Sequence, residues 1–188
     1  MSKAEAVPNL YADLLGPAWS ELNPTVHKAH LQGETMRASA MFRIRRGRRP
    51  LARLLAMLGR LPAEADAAPV QLAVRRVPDG EAWDRRFSTT RLLSTQFDAG
   101  DGLLGEDFGL MKVRFRFAVS DGALRYATHS AYLTLGGLHI PIPKALAPRI
   151  LAVESATSDG QRPHIFVSVS APLVGLLVSY EGDRGVEM

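Results

Sequence analysis

Residues 109–135 read GLMKVRFRFAVSDGALRYATHSAYLTL. Met111, Val113, Phe115, Phe117 and Val119 alternate with Lys112, Arg114, Arg116 and Ala118. An extended chain turns successive side chains to opposite faces, so this stretch has one apolar face and one mostly cationic face. Ser120-Asp121-Gly122 follows, and Asp and Gly tolerate the positive φ that a tight hairpin needs. A second alternating run continues through Leu124, Tyr126 and Thr128 to Tyr132. Long hairpin arms with one oily face must find a layer to cover them. The rest of the chain has to supply it.

The other segments of residues 70–181 repeat the pattern. Val70, Leu72 and Val74 begin it. Trp83, Arg85 and Phe87 share a face, as do Leu93, Thr95 and Phe97, and Leu103–Phe108 is a short strand. Ile150–Ala156, Ile165–Val169 and Leu176–Tyr180 supply the last strands, and the tail EGDRGVEM reads as frayed. Turn signals stand at Pro78-Asp79-Gly80, at residues 99–102 and at Ser158-Asp159-Gly160. Pro141 and Pro143 restrict HIPIPKALAP to a sheet edge or a crossing loop.

Earlier in the chain, Pro8, Pro17 and Pro24 stand where each opens a short helix, with Gly33 as a stop. Residues 34–45 return to period two, with Met36, Ala38, Ala40, Phe42 and Ile44 on one face. Pro50 opens LARLLAMLGRL, whose Leu51, Leu54, Leu55 and Leu58 recur at helical spacing, and residues 63–69 read as a loop.

The expected fold is one α+β domain over residues 1–188. A large curved antiparallel sheet or partly closed barrel (70–181) packs around one amphipathic helix in the mixed segment 34–62, with short N-terminal helices over about 8–32. Short strands with turns at regular intervals and no βαβ alternation lead to that class.

The chain contains no cysteine, which excludes disulfides and thiolate metal sites. No long apolar run marks a signal peptide or a span, so the expected location is the cytoplasm. The net charge of +4 is too small to specify an acidic partner.

The segments LYADLLGPAWSELNPTVHKAH, RGRRPLARLLAMLGRLP, WDRRF, GLLGEDFGLMKVRFRF, GGLHIPIPKALAPR and APLVGLLVSYEG occur here in order. In these the chain resembles a bacterial family known as domain of unknown function four-one-six-six. The resemblance implies a shared fold and no assigned reaction. It also implies that relatives occur alone or attached to short-chain or saccharopine-type dehydrogenase domains. Where relatives tend toward Gly-Leu-Pro-Leu-Pro, residues 137–143 here read GLHIPIP.

Candidate functional residues follow from the strand faces. Arg85 lies between Trp83 and Phe87 on one face, and an inward guanidinium must be paired. Glu106 is its expected partner, and Gln96 stands on a neighbouring strand. With Phe115, Phe117 and His129, these residues define an expected pocket for a hydrophobic or amphipathic small molecule. The Arg85–Glu106 pair also reads as a structural salt bridge at a barrel rim, or Trp83–Arg85 as a surface stack, and the apolar faces as a packed core with no cavity.

The alternative function is an enzyme acting on an apolar substrate in the same cavity, with His129 as base. No catalytic motif supports it, and no Gly-x-Ser-x-Gly occurs. The third is an interaction module for a dehydrogenase or a membrane. Arg43, Arg45 and Arg46 precede an amphipathic helix in an acid-free stretch, which fits weak contact with an anionic membrane. No nucleic acid is expected, because aromatic residues do not interleave the basic stretch. No cofactor and no metal is expected: His27 and His30, three apart, lack a third ligand.

Overall fold

A computed structural model describes residues 9–31 and 35–187. Two short helices, α1 (Leu10–Leu15) and α2 (Pro24–His30), flank a 3-10 turn over Gly16–Glu21. Asn9 and Asn23 cap the helices through side-chain oxygens, and Pro24 stands in the first turn, where its missing N–H is harmless. Pro8 and Gly33 lie outside the described residues. The strands are β1 (Thr35–Arg46), β2 (Ala65–Val77), β3 (Gly80–Phe87), β4 (Arg91–Asp98), β5 (Leu104–Asp107), β6 (Met111–Ser120), β7 (Ala123–Leu135), β8 (Leu138–Pro141), β9 (Arg149–Ala156), β10 (Pro163–Ala171) and β11 (Gly175–Glu187). Helix α3 (Pro50–Leu58) joins β1 to β2.

All strand pairs are antiparallel, in the order β6-β5-β4-β3-β2-β1-β11-β10-β9-β7, and β6 pairs again with β7. The result is a closed ten-stranded barrel, with β8 added outside the ring along the second half of β7. The expected curved sheet closes completely. The long hairpin is β6 and β7, and its turn has positive φ at both Asp121 and Gly122, as read from the sequence.

One face of each strand points inward. Met36, Ala38, Ala40, Phe42 and Ile44 on β1 face Val74, Leu72, Val70 and Ala68 on β2, with Ile44 opposite Ala65 beyond a bulge. Eight strands leave just enough room for side chains, and ten leave more. The N-terminal helices fill the difference at one end. Asn23 N–H donates to Gly122 O at 2.9 Å and Thr25 Oγ1 to Gly160 O at 2.6 Å, which pins α2 across the β6–β7 and β9–β10 turns. Tyr11, Leu22 and Val26 then join Val74, Trp83, Leu104, Val113, Phe115 and Leu124 in one apolar cluster. A second cluster, around Phe42, Ile44, Val70, Phe87 and Val178, occupies the other end.

Three expectations need correction. The sheet is not wrapped around the amphipathic helix: α3 lies outside, against β11. Ala52 and Ala56 are its buried residues, while Leu54 is 46% and Leu58 68% exposed. Gly47 permits this close seat, since a Cβ there would meet Leu176 O at 1.8 Å. The stretch 63–69 is not a loop: β2 begins at Ala65 and carries Pro69 opposite Met41, just beside the bulge between Phe42 and Ile44. The tail is not frayed either. Strand β11 pairs with β1 from Val178 opposite Arg46 to Glu187 opposite Arg37.

The inverted seating of α3 predicts an inverted mutational response. Leu54→Ala should change stability by less than about 0.5 kcal/mol, as at an ordinary surface site. Ala52→Leu should cost about 1–3 kcal/mol through overpacking. Urea midpoints of the two variants check the order.

Candidate functional site

The barrel interior carries a polar belt between its two apolar clusters. Arg85 on β3 reaches across β4 to Glu106 on β5. Its Nη2 donates to Glu106 Oε1 at 3.0 Å and its Nη1 to Ser94 Oγ at 2.8 Å, while Ser94 Oγ donates to the same carboxylate oxygen at 2.6 Å. The guanidinium also lies 4.6 Å from the Trp83 ring centroid, within cation–π range. The pairing expected from strand faces is therefore present. Ser94 was the missed member, because the sequence drew attention to Leu93 and Phe97. Those two face outward, and the Phe97 ring covers Gly105, where a Cβ would sit 2.4 Å from it.

A second cluster lies under the N-terminal helices. His30 on α2 is buried, and its Nε2 lies 2.9 Å from Glu154 Oε2 on β9. Tyr126 Oη donates to Glu154 Oε1 at 3.5 Å, and Tyr11 Oη donates to Gln96 Oε1 at 2.5 Å. The Tyr11 ring packs 4.3 Å from the His30 ring. Arg184 on β11 is 1% exposed, and its Nη2 donates to Ala29 O at 2.8 Å. Its Nε and Nη1, and Nδ1 of His30, are buried without a hydrogen-bond partner among the described residues.

The electrostatics follow from burial and the surrounding charges. Burial opposes ionisation of Glu154, but attraction and hydrogen bonding from His30, with Arg184 and Arg85 nearby, override it and hold the carboxyl at about 2. Glu81 goes the other way. Burial raises its pKa, against opposing contributions from His30 and from the Trp83 indole N–H, which donates at 3.2 Å. Tyr11 and Tyr126 are pushed well above the ordinary phenol range, first by burial and then by neighbouring carboxylates.

Among the residues singled out from the sequence, Trp83, Arg85, Gln96, Glu106 and Phe115 are buried or nearly so inside the barrel. Phe117 is half-buried and stacks on Tyr126 at 5.9 Å. His129 is the extra residue of a bulge, since Thr128 pairs with Phe115 and Ser130 with Arg114. A bulge breaks period-two reasoning, so its face was not readable. His30, Glu154, Tyr11 and Arg184 were missed as a group. The tail EGDRGVEM shows no apolar alternation, so the sequence held no signal for Arg184.

Outside the barrel, Ser155, His164 and Asp183 stand side by side on three adjacent strands. His164 Nδ1 lies 2.8 Å from Asp183 Oδ1, but Arg162 also holds that aspartate at 3.3 Å. No hydrogen bond joins Ser155 to the imidazole among the described residues, so the row lacks an activated nucleophile. No group of three or more His, Asp or Glu is arranged to hold a metal ion among the described residues. Nor is any described helix long and apolar enough to cross a membrane.

A family model described as "Domain of unknown function (DUF4166)" matches residues 22–183, and the chain belongs to that family. Comparison with curated proteins and with solved structures found no match.

The belt predicts an acid-sensitive barrel. Glu154 is ionised in the folded state down to about pH 2, against an ordinary value of 4.5. The unfolded chain therefore binds more protons between those values. The contribution of Glu154 is complete above about pH 4.5 and disappears as pH falls toward 2, a loss on the order of 3 kcal/mol. Glu154→Gln should lose about 3–5 kcal/mol at neutral pH by leaving charged neighbours uncompensated. It should also flatten the acid limb of a plot of unfolding free energy against pH.

Proposed function

We propose that the barrel is a non-catalytic binding domain for an amphipathic small molecule with a carboxylate or carbonyl head. The observation that carries this reading is the pair of guanidinium donors, Nε and Nη1 of Arg184, that are buried with no partner among the described residues. Each buried donor left unmade costs about 1–3 kcal/mol, and a carboxylate oxygen makes a strong, charge-assisted acceptor for a guanidinium N–H. The Arg85–Glu106 pair lies in the same belt and completes the polar contacts.

The apolar part of the ligand lies against Trp83, Phe115 and Phe117, in space that Tyr11, Leu22 and Val26 fill when the mouth is closed. Entry requires α1, the 3-10 turn and α2 to lift. Gln96, released from Tyr11, then becomes a further contact. The mouth is held by short helices and few hydrogen bonds, so opening it is less costly than breaking the barrel ladder.

Thermal-shift and native mass spectrometry screens with long-chain carboxylic acids, isoprenoid alcohols and matched hydrocarbons test the proposal. An acid at a hundred times its dissociation constant adds about 2.7 kcal/mol, which raises Tm by roughly 5–10 °C. The hydrocarbon should not do so, and Arg184→Gln should remove the preference for the acid. Should Arg184→Gln fail to fold, the preference of the wild-type protein decides. Equal responses to acid and hydrocarbon, or none to either, overturn the reading.

A further inference from the structure

Helix α3 presents Leu51, Leu54 and Leu58 to solvent and its alanines, with the half-buried Leu55, to the barrel. Leu51, Leu54, Met57 and Leu58 are exposed at the barrel end opposite the N-terminal helices, and Leu173 projects from the β10–β11 turn beside them. Such a concentration of bare apolar side chains on one helix and one turn is unusual for a surface that meets only water. The cations around it are equally one-sided. Arg48, Arg49, Arg53 and Arg60 are exposed, and none has a carboxylate partner among the described residues. No Asp or Glu occurs between Thr35 and Ala63.

The arginines singled out from the sequence are differently placed. Arg43 faces Glu181 at 3.7 Å, Arg45 holds Asp66 at 2.8 Å, and Arg46 donates to the carbonyls of Leu61 and Pro62. A recess of about 520 Å³ adjoins the patch, lined by Arg49, Arg149, Ser168, Ser170 and the 171–176 turn. It offers two guanidinium groups and two hydroxyls beside Leu173, the donor set that a phosphate diester takes.

We propose that this end of the barrel docks on the surface of an anionic phospholipid bilayer. The leucines and Met57 enter the acyl boundary, the four arginines meet the surface charge, and the recess takes one lipid phosphate. Charge complementarity selects this occupant over a second copy of the chain, which would bring the same uncompensated cations face to face. The reading stands on the outer surface alone and is independent of the interior ligand.

Vesicle flotation with phosphatidylcholine alone, or mixed with phosphatidylglycerol, tests it with the whole chain. Binding should require phosphatidylglycerol and weaken as salt rises. Arg49→Gln and Arg53→Gln should each weaken it about five-fold. Leu54→Ser with Leu58→Ser should abolish it while the circular dichroism spectrum stays unchanged. Arg43→Gln, whose parent residue is paired, should have little effect. No binding by the wild-type chain, equal binding to both vesicle types, or a dimer in light scattering that Leu58→Ser dissolves would overturn the proposal.

Discussion

Strands β1 and β11 come from opposite ends of the chain and pair along ten successive positions, from Arg37 opposite Glu187 to Arg46 opposite Val178. Nearly every other neighbour in the ring is also a neighbour in sequence, with β7–β9 stepping only over β8. Without the β1–β11 ladder the chain is a long open meander. With it, the inward faces of ten strands enclose one interior. This is the most non-local pairing in the fold, and loop-closure entropy makes it the costliest to form.

Everything polar inside depends on that closure. Glu154, Arg184 and Arg85 stand on three different strands, β9, β11 and β3, and His30 arrives on a helix laid across the mouth. Burial alone would drive Glu154 toward its neutral form. The enclosed cations reverse this, so the carboxylate is held charged by groups that an open sheet would not assemble. The belt also divides the core. Apolar side chains gather at the two ends, with ionic and amide groups between them.

Most of the strands were legible because alternation survives wherever the interior takes apolar side chains. The β6–β7 hairpin, the inward face of β1 and the Arg85–Glu106 pair could all be read this way. The end of β11 could not. Its inward positions are Gly182 and Arg184, and Gly182 is bare because a Cβ there would lie 2.4 Å from the Phe42 ring. A strand that faces inward with glycine and arginine looks like a solvated tail. The face of α3 failed for a different reason. Helical spacing reveals that a leucine stripe exists, but what covers it depends on the neighbouring element, and Gly47 lets β11 meet the alanines instead. His30 and Arg184 were out of reach because their partners, Glu154 and the Ala29 carbonyl, meet them only once α2 lies across the barrel mouth.

The added strand β8 has its own consequence. Joining ten strands in a ring gives every strand of the barrel two neighbours, and β8 is the one strand among the described residues that pairs on one side only. Its free edge is four residues long, ends at Pro141 and is followed by Pro143, so a neighbouring molecule would find few amide hydrogens to grasp. A chain this rich in oily strands therefore has little opportunity to extend itself into fibrils by strand addition once it has folded.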